Sequence, residues 1–168
     1  MEEIFDVVDA QDNVVGCAPR ALVHARGLRH RASHVLVEDR AGRIYLQQRA
    51  MTKDCSAGLW DTSAAGHLDR GEAYESAARR ELQEELGVIA AGPLRRLAKL
   101  AAGEDTGNEF VEVFHVVVEG EVRPDPTEIA AGGWFERAQI DAWLAREPRG
   151  FTTTFHRIWE IFERDSAR

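Results

Sequence analysis

Gly66-His-Leu-Asp-Arg-Gly-Glu72-Ala-Tyr-Glu-Ser-Ala-Ala-Arg-Arg80-Glu81-Leu82-Gln-Glu84-Glu85-Leu-Gly87-Val88 is the stretch on which the reading of this chain turns. From about Ala73 it has no Pro or Gly until Gly87 and is rich in Ala, Leu, Glu and Arg, so it predicts a helix stopped by a C-terminal glycine. At about 100° per residue, with Glu81 as origin, Glu84 falls at roughly 300° and Glu85 at roughly 40°, so the three carboxylates share one face. Ala77 and Ala78 lie in the same arc, Leu82 and Leu86 border it, and Ser76, Arg79, Arg80 and Gln83 take the other side. The glutamates therefore sit on or beside the face that packs. Like charges this close repel and resist desolvation unless a cation joins them. A hard divalent ion such as Mg²⁺, which prefers carboxylates, waters and substrate phosphates, is that cation. A merely solvated acidic face would not share its arc with small apolar residues.

The block also resembles the Nudix box, G-x5-E-x7-R-E-U-x-E-E-x-G-U with U aliphatic, at every specified position. Such agreement arises by chance on the order of once in 10^10 starting points. The resemblance implies that the glycine-rich loop and the helix form a metal-binding platform for a diphosphate. It carries metal ligation to Glu81, Glu84 and Glu85, with the Gly66 carbonyl as an additional ligand, and Mg²⁺, or Mn²⁺ in its place, as cofactor. Glu72 and Arg80 take the part of the pair that ties loop to helix.

Outward from the block, Glu3 to Val8 and Val14 to Cys17 read as two strands about the turn residues Gln11, Asp12 and Asn13, and Arg20 to His24 as a short helix. Ser33 to Glu38 and Arg43 to Gln48 flank an Asp39-Arg-Ala-Gly42 turn and predict a hairpin. Leu94 to Leu100, Glu109 to Glu119 and Gly133 to Phe135 supply further strands. Glu136 to Ala145 and Thr152 to Arg164 read as helices, the second with Phe155, Ile158, Trp159 and Phe162 on one stripe. This order resembles the α/β/α Nudix sandwich, an α/β fold with a mixed central sheet and an N-terminal β-hairpin, in one domain over residues 1–168.

With 168 residues and 44% hydrophobic content, the chain can bury a substantial single core. Its formal net charge of -8 argues against a nonspecific nucleic-acid or membrane-surface binder, which needs a basic footprint. Two cysteines, Cys17 and Cys55, have neither metal-ligand spacing nor a disulfide framework and read as buried thiols in a reducing compartment. Without a signal peptide or a bilayer-spanning apolar run, the expected location is cytoplasmic. A homodimer is the default assembly.

A second resemblance narrows the branch. His24-Ala-Arg-Gly-Leu-Arg-His30-Arg-Ala-Ser-His34, followed by Leu59-Trp60-Asp-Thr-Ser-Ala-Ala-Gly66-His67, is similar to the Nudix proteins related to isopentenyl diphosphate isomerase. In that isomerase two upstream histidines, the histidine after the box glycine and two glutamates of a later strand hold a metal, and its catalytic cysteine lies two residues before the box histidine. Here that position is Ala65, and the earlier glutamate aligns near Gly107; His24, His30, His67 and Glu109 remain. Isomerising an unactivated alkene needs proton donor and acceptor on opposite faces of the carbon skeleton, and Ala65 can be neither.

The expected activity is therefore hydrolysis of a phosphoanhydride in a nucleoside diphosphate derivative or related small diphosphate, by in-line attack of a metal-activated water. The alternatives are isomerase-like chemistry or a non-catalytic diphosphate-binding regulator. Glu81, Glu85 and Glu109 are the candidate general bases. Arg49 and His67 are the candidate phosphate contacts, with Arg26, Arg29, Arg31 and Lys53 as further cations that could line a cleft. His24 and His30 read as vestigial or structural, and Trp60 as packing beneath the box loop.

Overall fold

The protein is described by a computed structural model over residues 2–167. Strands β1 (Ile4–Val8) and β2 (Val14–Pro19) pair antiparallel as a separate hairpin. Its turn is held by Asp9, whose Oδ1 accepts the backbone N–H groups of Gln11 and Asn13, each at 2.9 Å. At the tip, the Asp12 carboxylate accepts from Arg31 Nε at 2.6 Å, from the Tyr74 hydroxyl at 2.9 Å and from Lys99. The hairpin is thereby fastened to the body by one buried acid. Helix α1 (Arg20–Arg26) follows and stops at Gly27 with φ +58°.

Strands β3 (His30–Glu38) and β4 (Ile44–Arg49) flank a turn in which Asp39 Oδ1 accepts from the N–H groups of Ala41 and Arg43. The expected hairpin needs correction. The two strands pair only at Glu38 and Ile44 and then part, β3 joining the later strand β8 (Glu109–Val117) in parallel and β4 joining β9 (Ile129–Phe135) antiparallel. Val35, Leu36 and Val37 are all fully buried, so β3 is covered on both faces and takes the centre of the sheet.

Two short strands, β5 (Trp60–Asp61) and β6 (Ala64–His67), have too few residues for a period-two pattern and read as loop in the sequence. They complete a seven-stranded mixed sheet of order β5-β4-β3-β8-β7, with β7 at Arg95–Leu100, β6 paired to β3 and β9 to β4.

Alternation along the strands feeds two cores. Ala32, Leu36, Ile44, Leu46, Val111 and Val113 face helices α3 (Arg137–Arg146) and α4 (Thr153–Ser166), meeting Ile140, Phe155, Ile158, Trp159 and Phe162. Val35, Val37, Tyr45 and Phe114 face helix α2 (Tyr74–Leu86), meeting Ala78, Leu82 and Leu86. The apolar stripe expected on the last helix is the buried one. Trp60 departs from expectation, since it packs edge-on against Phe135 and Trp143 instead of beneath the box loop. Cys17 and Cys55 are both exposed, because the hairpin's outer strand and the 50–58 loop have nothing packed over them to bury a thiol. Among the described residues, no helix is long and apolar enough to cross a membrane.

Candidate functional site

Helix α2 forms where expected, and Gly87 ends it in the left-handed conformation at φ +64°. The middle of the helix is tied to the box loop through Arg80. The guanidinium donates to both oxygens of Glu72, from Nε at 3.0 Å and Nη2 at 2.9 Å, and to the His67 carbonyl at 3.0 Å. Glu72 in turn accepts from the Asp69 N–H at 2.9 Å. Loop and helix are thus one rigid unit.

The three glutamates do not share one environment. Glu81 and Glu85 are 8% and 3% exposed, whereas Glu84 lies open at the edge. Burial, reinforced by the neighbouring Glu85, pushes Glu81 from an ordinary 4.5 up to about 7. Burial also pushes Glu85 up to about 7, against hydrogen bonds from Gln47 Nε2 at 2.7 Å and the Ala65 N–H at 3.1 Å. Arg80 Nη1 reaches Glu81 at 2.5 Å and Glu84 at 3.3 Å. Gly66 stands against this group so closely that a Cβ there would fall 1.9 Å from Glu81 Oε1. That cradle, with two buried acids held toward neutrality, fits a divalent cation bound by oxygen ligands.

Gln47 is a residue the sequence reading missed. It is 2% exposed and points from β4 toward α2, on the same face as Tyr45, where it donates to Ser63 O at 3.1 Å as well as to Glu85. A polar side chain ending the apolar run Ile44-Tyr45-Leu46 is the signal that could have found it. We expect Gln47→Leu to lower kcat by about 10- to 100-fold with a smaller change in KM, because it removes the donor that orients Glu85. Steady-state kinetics on the folded variant checks this, and an unchanged kcat would refute the positioning role.

The remaining site residues line a cleft of about 710 Å³ that opens between α1, the box loop, the 50–58 loop and the start of α4. His24, His30 and His67 offer ligand atoms all within 4.8 Å of one another. Glu109 lies against two of them, its Oε1 2.9 Å from His67 Nε2 and 3.4 Å from His30 Nε2. Burial opposes the charge on Glu109, but the hydrogen bonds and charges of His30 and His67 hold it far below the usual carboxylate range. His30 Nε2 is buried, with Glu109 Oε1 as its ion-pair neighbour but no well-aligned hydrogen bond. Both His24 and His30 line the cleft, with His30 opposite Glu109 across β3 and β8.

Besides Arg80, three cations line the cleft. Arg49 lines it, as expected, with its guanidinium donating to the Cys55 carbonyl at 3.2 and 3.1 Å. Lys53 is paired with Glu128. Arg20, which the sequence reading passed over as a helix residue, bridges Glu3 at 2.9 Å and Asp54 at 2.8 Å. By contrast Arg31 turns to Asp12, and Arg26 and Arg29 are outside the lining.

A family model described as the NUDIX domain matches residues 28–155. The chain belongs to the Nudix family. Among curated relatives of this Nudix protein, the isopentenyl-diphosphate delta-isomerase of Burkholderia multivorans is 39% identical over 159 residues, covering 93% of this chain and 90% of the relative. An uncharacterized Nudix hydrolase of Streptomyces coelicolor is 36% identical over 144 residues, covering 85% and 80%. Among solved structures, a Deinococcus radiodurans protein superposes with a TM-score of 0.75 at 28% identity, covering 89% of this chain and 91% of that one. The Nudix branch to which this protein is related thus holds both isomerases and hydrolases.

The raised acids of this Nudix site predict how the metal-free fold responds to pH. A carboxyl whose folded pKa lies above its unfolded value binds its proton more tightly when folded, so its contribution is full below about 4.5 and is lost as pH rises through about 7. For Glu85 the loss is on the order of 3 kcal/mol. His24, His34 and His115, each lowered chiefly by burial, act in the opposite sense below their ordinary 6.5. The comparison is therefore with Glu85→Gln, which keeps all three. In chelator, the stability of the variant relative to wild type should rise between pH 5 and pH 8, as read by urea unfolding. A pH-independent difference would refute the shift.

Proposed function

We propose that this protein, acting as one domain over residues 1–168, hydrolyses a phosphoanhydride bond in a nucleoside diphosphate derivative or related small diphosphate, with Mg²⁺ or Mn²⁺ as cofactor. The observation that carries the reading is the pair of buried carboxylates, Glu81 and Glu85, facing Gly66 at the floor of a cleft rimmed by Arg20, Arg49 and Lys53. Glu81, Glu84, Glu85 and the Gly66 carbonyl would hold the cation. When bound, it neutralises phosphate charge and lowers the pKa of an attacking water.

The chain's own groups then have distinct tasks. Arg49 and Arg20 present planar guanidinium forks suited to phosphate oxygens, and Lys53 a point charge. Binding exchanges their present partners, the Cys55 carbonyl, Asp54 and Glu128, for substrate. Water adds to one phosphorus in line with the bridging oxygen, that P–O bond breaks, and a carboxylate takes the water's proton. An oxygen of Glu81 or Glu85 left free of the cation suits this transfer, while Glu109 is held ionised between His30 and His67.

The histidine cluster favours one second reading, isomerase-like chemistry, because His24, His30, His67 and Glu109 are the residues retained from the isomerase pattern. Ala65 argues against it, since the cleft there carries a methyl where a proton donor is needed. The deciding experiment offers nucleoside di- and triphosphates, nucleotide sugars, ADP-ribose and isopentenyl diphosphate with Mg²⁺ or Mn²⁺, and separates products by chromatography. Metal-dependent phosphate release is expected. Double-bond migration in isopentenyl diphosphate without phosphate release would replace the hydrolase reading, and binding without any product would leave a regulator.

A further inference from the structure

Cys55 is the one thiol in the cleft, and none of the chemistry above uses it. Its Sγ, a carboxylate oxygen of Asp54 and a ring nitrogen of His24 lie within 4.8 Å of one another, on the side of His24 that faces the 50–58 loop. We propose that these three side chains bind a thiophilic divalent cation of the zinc or cobalt class at the mouth of the cleft, separate from the carboxylate site on α2.

Imidazole nitrogen, carboxylate oxygen and thiolate sulfur are together a donor set for borderline-soft ions, and three protein ligands leave a fourth position for water. A thiolate also selects against Mg²⁺, so this cation and that of the α2 carboxylates differ in kind. The loop is fixed without using the thiol. Arg49 holds the Cys55 carbonyl, and its own backbone accepts from the Gly58 N–H at 3.0 Å. No hydrogen bond among the described residues reaches the Cys55 sulfur.

Arg20 Nη2 donates to both Asp54 oxygens, at 2.8 and 2.9 Å, which orients the carboxylate and leaves lone pairs free. Binding forms a metal–sulfur bond and releases the thiol proton to solvent, with no change of oxidation state.

Titration of the full-length protein with Co²⁺ tests this by ultraviolet absorption. Wild type should develop a sulfur-to-cobalt charge-transfer band that Zn²⁺ bleaches. Cys55→Ser should lose the band and weaken Co²⁺ binding by more than the roughly 10- to 100-fold that follows loss of an outer partner of a metal ligand. Cys17→Ser should keep it. Glu85→Gln should keep it too, so failure of the α2 site and failure of this one are separable. Co²⁺ bound without that band, or a band that survives in Cys55→Ser, would overturn the proposal.

Discussion

Glu85→Gln is expected to lower kcat for phosphoanhydride hydrolysis by roughly a thousandfold, about 4 kcal/mol of barrier, while the protein stays folded. Glu85 is 3% exposed and has Gln47 and the Ala65 N–H on one oxygen, so its carboxylate is oriented before any cation arrives. The amide keeps the shape and removes the charge. Because the acid is held near neutrality by burial, the same variant should be more stable than wild type at pH 8 in chelator, trading function against stability. Turnover with Mg²⁺ and urea unfolding without it check the two halves. Near wild-type turnover in a folded variant would remove Glu85 from the site.

Gly66→Ala is expected to cost roughly a hundredfold in kcat and about 1–3 kcal/mol of stability. The added methyl would sit 1.9 Å from Glu81 Oε1 and 2.1 Å from its Cδ, closer than any packed contact allows. The carboxylate cannot simply swing away, since it is buried and held by Arg80 at 2.5 Å. Both Gly66→Ala and Glu81→Gln then act through one displaced or neutralised group, so their effects should not add. A double-mutant cycle on kcat measures this coupling, and full additivity would show that the glycine matters for another reason.

The box helix is legible in the sequence because its signals are local, a run without breakers from Tyr74 and a glycine at 87 that can take positive φ. The pair Glu72 and Arg80 comes instead from the resemblance to the box, and the two side chains meet at 2.9 Å. The difference between Glu84 and its two neighbours is not legible in the sequence, because helical angle alone places all three on one arc while depth depends on what packs above. The placement of His24 and His30 beside His67 and Glu109 escapes local reading as well. It depends on β3 lying parallel to a strand almost eighty residues later and on a hairpin that closes the far wall. Gln47 and Arg20 were passed over for a related reason. Each is an ordinary member of its own element, and only tertiary neighbours give it a task.

The pairing of β3 with β8 reaches beyond packing into what insertions this protein can accept. His30 faces Glu109 in a ladder that runs unbroken to Glu38 and Val117. A slip of one step would set Asn108 or Phe110 opposite His30 and would turn Val111 and Val113 out of the core. Length is therefore expected to be free to drift at the exposed residues 119–121, which follow both strands, and to be fixed within the paired stretches and in 123–128, whose backbone is bonded to Leu86, Glu85 and Ala50. Libraries of single-residue insertions should divide along that line, with tolerated variants accumulating at 119–121 and almost none between Glu109 and Val113.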